Sequence, residues 1–113
     1  MIRKFYNKLV RDNIIDIILK DNGSPKFEVL GDNDFRLALK EKLLEESKEL
    51  KEANTKEEII NELSDILEIV HAMAGNYNLS HDDLEKNRVE KKERRGGFDK
   101  KIFLEYSDEE QKN

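Results

Sequence analysis

The segment from Phe35 to Asn76 constrains this chain most. It holds two long apolar stripes, and only Asn54-Thr55-Lys56-Glu57-Glu58 lies between them. Leu39, Leu43, Leu50 and Ala53 recur at helical spacing, which predicts a helix over Phe35–Ala53. Ile59, Leu63, Ile66, Val70 and Met73 recur in the same way, flanked by Ile60, Leu67 and Ala74, and predict a second helix from about Lys56 to Asn76. Thr55, followed three residues later by Glu58, reads as a capping box that starts it. So short a link makes the two helices antiparallel neighbours. The second helix carries a further stripe of Glu58, Glu62, Asp65, Ile69 and Ala72. Its second half is apolar nearly all round, so it is expected to be the central, most buried element.

Carboxylates interrupt this hairpin in a patterned way. Residues three or four apart share a helix face, so Glu46 stacks with Glu49 and Glu62 stacks with Asp65. Glu46 falls inside the apolar stripe between Leu43 and Leu50, Glu49 lies at its edge, and Glu45 lies further round. A solvated charged face should avoid the apolar stripe, and Glu46 does not. A lone Glu-x-x-Glu says little, because Glu-rich helices are usually solvated. Two such pairs on adjacent helices say more. Four carboxylates brought together without a cation would repel and desolvate one another. Oxygen-only ligands suit the hard cations magnesium and manganese. Neither His71 nor His81 stands at helical spacing from the acids, which argues against zinc or iron.

The flanks are expected to be smaller. Met1–Lys8 reads as an extended lead-in. Arg11–Asp21 reads as a helix through Ile14, Ile17 and Ile18, with Asp12 able to cap it and Asn22-Gly23-Ser24-Pro25 stopping it. Lys26–Leu30 is a candidate strand, and Gly31-Asp32-Asn33-Asp34 is a turn that can cap the next helix. A fourth helix runs from His81 to about Arg95, after a cap at Ser80 and with only Leu84 and Val89 clearly apolar. Its end, Lys91, Lys92, Arg94 and Arg95 before Gly96-Gly97-Phe98, is the one dense basic cluster. Such a cluster can grip phosphate oxygens, and glycine lets backbone approach a ligand. Helix termination explains the same residues, since cations suit a C-terminal dipole and glycine ends helices. Phe98–Tyr106 alternates as a second candidate strand that could pair with the first. A polar tail from about Ser107 to Asn113 is expected to fray.

Size and composition narrow the classes. The 113 residues suffice for one domain, 1–113. With 42% charged and 36% hydrophobic residues, the core is lean and is expected to be completed by self-association. The net charge of -5 repels phosphate backbones and argues against nucleic acid as a partner. The absence of cysteine excludes disulfides, zinc–thiolate sites and thiol nucleophiles. No stretch approaches the roughly 20 apolar residues of a membrane span, and the N-terminus has no signal-peptide pattern. The expectation is a soluble cytoplasmic protein with no membrane partner. A single proline and five glycines favour long helices, giving an all-α antiparallel bundle of about four helices with short flanking strands. Acids for metal and bases for phosphate complement one another, and a metal-bound polyphosphate would satisfy both.

These residues resemble a known family. Glu45-Glu46-Ser47-Lys48-Glu49 followed by Glu62-Leu63-Ser64-Asp65 is similar to the Glu-Glu-x-x-Glu…Glu-x-x-Asp signature of the MazG-like all-α nucleotide pyrophosphohydrolases, whose relatives include phosphoribosyl-ATP pyrophosphohydrolase and the dimeric dUTPases. Tyr6-Asn7-Lys8-Leu9-Val10-Arg11-Asp12 and Arg95-Gly96-Gly97-Phe98 resemble one small-protein branch. The resemblance implies magnesium-dependent hydrolysis of a nucleoside triphosphate to monophosphate and pyrophosphate, in the service of nucleotide-pool house-cleaning. It implies a homodimer or homotetramer with metal ligands Glu46, Glu49, Glu62 and Asp65. Glu45 would be a site-proximal acid. On chemical grounds a carboxylate not fully used by metal, Glu45 or Glu49, could act as the catalytic base. The resemblance implies phosphate contacts from Lys91 and Arg95, then Lys92 and Arg94, with Lys8 and Arg11 as further candidates. Relatives of the branch commonly have Lys then Ile-Pro after the Arg-Asp pair, where this chain has Asn13-Ile14-Ile15.

Two alternatives stand beside this reading. One is a phosphoribosyl-ATP pyrophosphohydrolase of histidine synthesis, which shares the mechanism and differs in the base. The other is a non-catalytic helical interaction module whose acids pair with a partner's Lys and Arg. Spacing selects no base; Phe98, Asn87 and the lead-in are the candidates for recognising it.

Overall fold

A computed structural model describes residues 2–111; Met1 of the lead-in and Lys112 and Asn113 of the tail lie outside the described residues. Among the described residues there are four helices and no strand: α1 (Ile14–Lys20), α2 (Asp32–Glu52), α3 (Lys56–Asn76) and α4 (His81–Arg95). The chain is all-α, as its patterning predicts. It divides into two compact units, Met1–Ser80 and His81–Asn113.

The first unit is built on the α2–α3 hairpin. Thr55 starts α3 with the expected capping box: its side chain accepts from the Glu58 N–H, and the Glu58 carboxylate accepts from the Thr55 N–H. At the other end of the hairpin, Arg36 near the start of α2 donates to the Asn76 side chain (2.5 Å) and carbonyl (3.0 Å) at the end of α3. Its guanidinium also lies 4.4 Å from the centre of the Tyr77 ring. Tying the start of one helix to the end of the next fixes the antiparallel register. After α3, Asn78 takes a left-handed φ of 58°, the Leu79 N–H reaches the Ala74 carbonyl and the Asn78 N–H reaches that of Gly75. This is a Schellman stop.

The core is thin. Leu39, Ile69 and Ala74 are its buried hydrophobic residues, and Glu46 is buried among them. The α2 stripe of Leu39, Leu43, Glu46, Leu50 and Ala53 turns inward as expected. The face of α3 differs in part from expectation. Ile66, Met73 and Ala74 of the first apolar face are partly or fully buried, but so are Glu62, Asp65, Ile69 and Ala72 of the second stripe, while Ile59, Ile60, Leu63, Leu67 and Val70 are exposed. Leu67 leaves 58% of its surface in water. Helix α3 has apolar residues on two sides but packs against one long helix, so within one chain it is not a wholly buried centre.

Three boundaries are corrected. Helix α1 starts at Ile14 and its N-cap is Asn13, whose near-helical backbone leaves no side-chain cap, so Asp12 does not serve as one. Its end is another Schellman stop in which Asn22, not Gly23, takes the left-handed conformation (φ 65°). Gly23 is needed for space: a Cβ there would come within 2.5 Å of the Ile18 Cγ2. Helix α2 begins at Asp32, three residues before Phe35, with Gly31 as N-cap. Neither candidate strand forms. Phe27 and Val29 are exposed, as are Ile102, Leu104 and Tyr106, and alternation without a neighbouring strand to pair with leaves only irregular chain.

The second unit contains α4 and the chain that follows it. Leu84 is half-buried and the other residues of α4 are exposed. An ion pair one turn apart, Arg88 to Glu85, supports the helix locally. Gly96 ends it with φ 83°, its N–H reaching the Lys92 carbonyl at 2.8 Å. No helix among the described residues is long and apolar enough to cross a membrane.

Candidate functional site

Helix geometry gathers the acids of the first unit into one seam. On α2, Glu45, Glu46 and Glu49 offer oxygens that all lie within 4.8 Å of one another. Across the hairpin, Glu46, Glu62 and Asp65 do the same. Glu46 belongs to both groups and is the hinge of the arrangement. The spacing that put it in the apolar stripe also puts it at the helix contact. It is 6% exposed, Glu62 and Asp65 are half-buried, and Glu49 is exposed.

The electrostatics of the seam are unfavourable as they stand. Glu46 Oε2 and Glu62 Oε2 are buried and no donor among the described residues reaches them. Burial pushes the Glu46 carboxyl up to about 8, helped by hydrogen bonding with Glu62 and Glu49 and by the negative charges of Glu49 and Asp65. Lys42 approaches Glu46 Oε1 at 3.6 Å, but it leaves Oε2 unserved. The fold thus holds a carboxyl where it resists ionisation, a costly arrangement unless a cation completes it.

Three cations border the seam. Lys8 pairs with Glu45 at 3.0 Å, Arg11 with Asp65 at 2.7 Å, and Lys42 with Glu45 at 3.4 Å. Burial acts to raise the Glu45 carboxyl, yet the Lys8 and Lys42 ammonium groups outweigh it and hold Glu45 below the usual carboxylate range. Lys8 itself is raised, first by its hydrogen bond to Glu45. The chain ahead of α1 therefore reaches both helices of the hairpin, Lys8 on α2 and Arg11 on α3.

The structure brings Glu45, Glu46, Glu49, Glu62 and Asp65 together and sets Lys8 and Arg11 against them. Lys91, Lys92, Arg94 and Arg95 stand exposed at the end of α4 in the second unit. There the terminating role of Gly96 is realised, as its left-handed φ requires a residue without a Cβ penalty. Phe98 is 96% exposed and Asn87 is exposed too. Sequence reasoning missed Lys42, although it lies three residues before Glu45 and four before Glu46, the spacing at which helix charges meet. It also missed a groove beside Glu45, lined by Asn7, Lys8, Leu9, Ala38, Glu41, Lys42 and Glu45. Only the fold brings the lead-in over α2, so no local signal could have found it.

The donor set fits a hard divalent cation. It is all carboxylate oxygen, it spans two helices, and two of its oxygens are buried without a donor. Comparison with curated proteins and with solved structures finds no match. Comparison with protein families finds one described as phosphoribosyl-ATP pyrophosphohydrolase, matching residues 20–92. The matched span includes every clustered carboxylate with Lys91 and Lys92, while Lys8, Arg11, Arg94 and Arg95 stand outside it. It covers well over half of the 113 residues, and the chain belongs to the phosphoribosyl-ATP pyrophosphohydrolase family, in the MazG-like all-α superfamily, which supports a nucleotide pyrophosphohydrolase activity.

Proposed function

We propose that this protein hydrolyses a nucleoside triphosphate to the monophosphate and pyrophosphate, with magnesium held by Glu46, Glu49, Glu62 and Asp65. The observation that carries the reading is Glu46, a buried carboxyl with an oxygen that no donor among the described residues reaches, pressed against Glu62 and Asp65. Manganese, another hard cation, would suit the same oxygens. When bound, such a cation neutralises the seam, polarises phosphoryl oxygens and lowers the pKa of water. Glu45, kept ionised by Lys8 and Lys42, or Glu49 on the next turn, accepts the proton from the attacking water. The bond that breaks is the anhydride between the α- and β-phosphates, and the water oxygen ends on one of the two products.

Lys8 and Arg11 border the carboxylates and can turn from them to substrate phosphates. Lys91, Lys92, Arg94 and Arg95 are assigned to phosphates on their chemistry and on the family resemblance alone. The exposed Ile59, Ile60, Leu63, Leu67 and Val70 of α3 favour a homodimer or homotetramer in which a second copy covers them. A cytoplasmic house-cleaning role fits a chain without cysteine. Phosphoribosyl-ATP, the substrate in the matched family's description, is the alternative.

A pyrophosphate-release screen over standard and damaged nucleoside triphosphates, dUTP and phosphoribosyl-ATP tests the reading. Activity is expected with magnesium and not with EDTA, and Glu49→Ala and Asp65→Ala should abolish it. Activity untouched by those substitutions means that the metal assignment is wrong. If no substrate is cleaved and the same substitutions change only the oligomeric state, the interaction module is the better description.

A further inference from the structure

In the first unit a groove of about 430 Å3 opens between the lead-in and α2, with Asn7, Lys8 and Leu9 on one side and Ala38, Glu41, Lys42 and Glu45 on the other. We infer that this groove holds the nucleoside half of the substrate, with Glu41 and Asn7 reading a base that carries an exocyclic amino group. The inference rests on the proposed nucleotide hydrolysis and adds where the nucleoside lies.

The groove is polar in a directed way. Its end at Glu45 adjoins the carboxylate seam, and both ammonium groups there, Lys8 and Lys42, pair with Glu45. Glu41 lies one helical turn back along α2, and Ala38 lies nearly another turn beyond. At a helical rise of about 1.5 Å per residue, Ala38 is about 12 Å from Glu46 along the axis. That is comparable to the reach from a nucleotide's phosphates to the far edge of its base. Phosphates therefore meet cations and carboxylate-held metal at one end, and the nucleoside extends toward Ala38. The volume falls within the range of small-ligand sites, about 300–1,000 Å3.

The far end has the chemistry to receive a base. Leu9 and Ala38 give apolar surface for a ring or sugar face. Neither the Glu41 carboxylate nor the Asn7 amide has a hydrogen-bond or ion-pair partner among the described residues, whereas the neighbouring Lys8, Lys42 and Glu45 are all paired. Asn7 is held at φ 44°, a left-handed conformation that asparagine tolerates better than most residues. A carboxylate accepts from N–H and has nothing to donate, so Glu41 favours an amino-bearing base edge over a carbonyl one.

The test compares ATP with purine riboside triphosphate, whose base has a hydrogen where adenine has the amino group and keeps N1 as an acceptor, in magnesium-dependent pyrophosphate release. The wild type should prefer ATP, and Glu41→Gln should shrink the ratio of the two kcat/KM values about tenfold, the scale of one hydrogen bond. Ala38→Phe should raise KM for both by about tenfold while Mn2+ affinity stays unchanged, because filling the groove removes the site that buries the ligand. A wild type indifferent to the amino group, or a ratio unmoved by Glu41→Gln, overturns the base assignment; a KM unmoved by Ala38→Phe overturns the groove. Amide NMR shifts on adding AMP read binding without turnover. Shifts at Leu9, Ala38 and Glu41 keep the groove even if no triphosphate is hydrolysed, in which case the proposed activity fails alone. Shifts absent from those residues overturn the groove whatever the activity.

Discussion

Glu46 is buried between two helices with an oxygen that no donor among the described residues reaches, whereas Lys91, Lys92, Arg94 and Arg95 stand exposed to water at the end of α4. Both regions are dense in one sign of charge. Folding alone accounts for the second, because cations suit a helix C-terminus and Gly96 closes the helix in a left-handed turn. Folding alone does not account for the first. A buried carboxyl that Lys42 approaches on only one oxygen destabilises the chain that carries it, and its neighbours Glu49 and Asp65 make it worse. Charge density by itself is therefore a poor guide to a site, and charge held where the solvent cannot serve it is a better one.

Substitutions test that contrast. The largest effect is expected at the seam. Removing outer-shell partners of a metal ligand typically costs about 10–100-fold, so Asp65→Asn, which alters a proposed ligand itself, should lower pyrophosphate release by at least about a hundredfold. Leu39, 2% exposed beside the seam, should cost about 3 kcal/mol when changed to Ala, measured by urea denaturation. The basic end should respond differently. Lys91→Ala or Arg95→Ala should leave stability within about 0.5 kcal/mol of wild type. If these groups hold phosphate, either change should raise KM by about tenfold, the scale of one charge-assisted hydrogen bond. A smaller effect is expected at the link between the helices, where Thr55→Ala should cost about 1 kcal/mol by loss of the N-cap.

Acidity gives a separate handle on the seam. The folded protein raises the Glu46 carboxyl to about 8, above its ordinary 4.5, so the native state binds this proton more tightly than the unfolded chain does. The stability it contributes is present below pH 4.5 and is lost as pH rises through 8. In EDTA, thermal melting should fall across that window. With saturating magnesium the decline should vanish, since a cation takes the place of the proton. A metal-free protein whose melting temperature rises through the window would show that Glu46 is not held as described.

The hairpin is legible in the sequence because its signals are local and agree with one another. The Thr55–Glu58 box, the Leu39–Ala53 stripe and the short link each specify the same two helices. Glu46 is legible for the same reason, as a charge at an apolar position. Which face of α3 meets α2 is not. Ile59, Leu63 and Val70 belong to the better apolar stripe yet are exposed, while Ile69 of the second stripe is buried, because the partner helix and not the pattern chooses the face. The expected strands do not form because alternation in Lys26–Leu30 and Phe98–Tyr106 says nothing about a pairing partner. Lys8 and Arg11 enter only through the resemblance, and nothing local says which acids they meet, since Glu45 lies 37 residues from Lys8 and Asp65 lies 54 from Arg11.

On the proposed reading, the buried Glu46 completes a divalent-cation site. Calorimetric titration of the EDTA-treated protein with Mn2+ at pH 7, wild type against Glu46→Gln, tests it most directly. The wild type should bind saturably and the variant with an affinity lower by at least about tenfold, as even outer-shell changes lower metal affinity by about 10–100-fold. Equal binding by the two proteins, or none by the wild type, would contradict it.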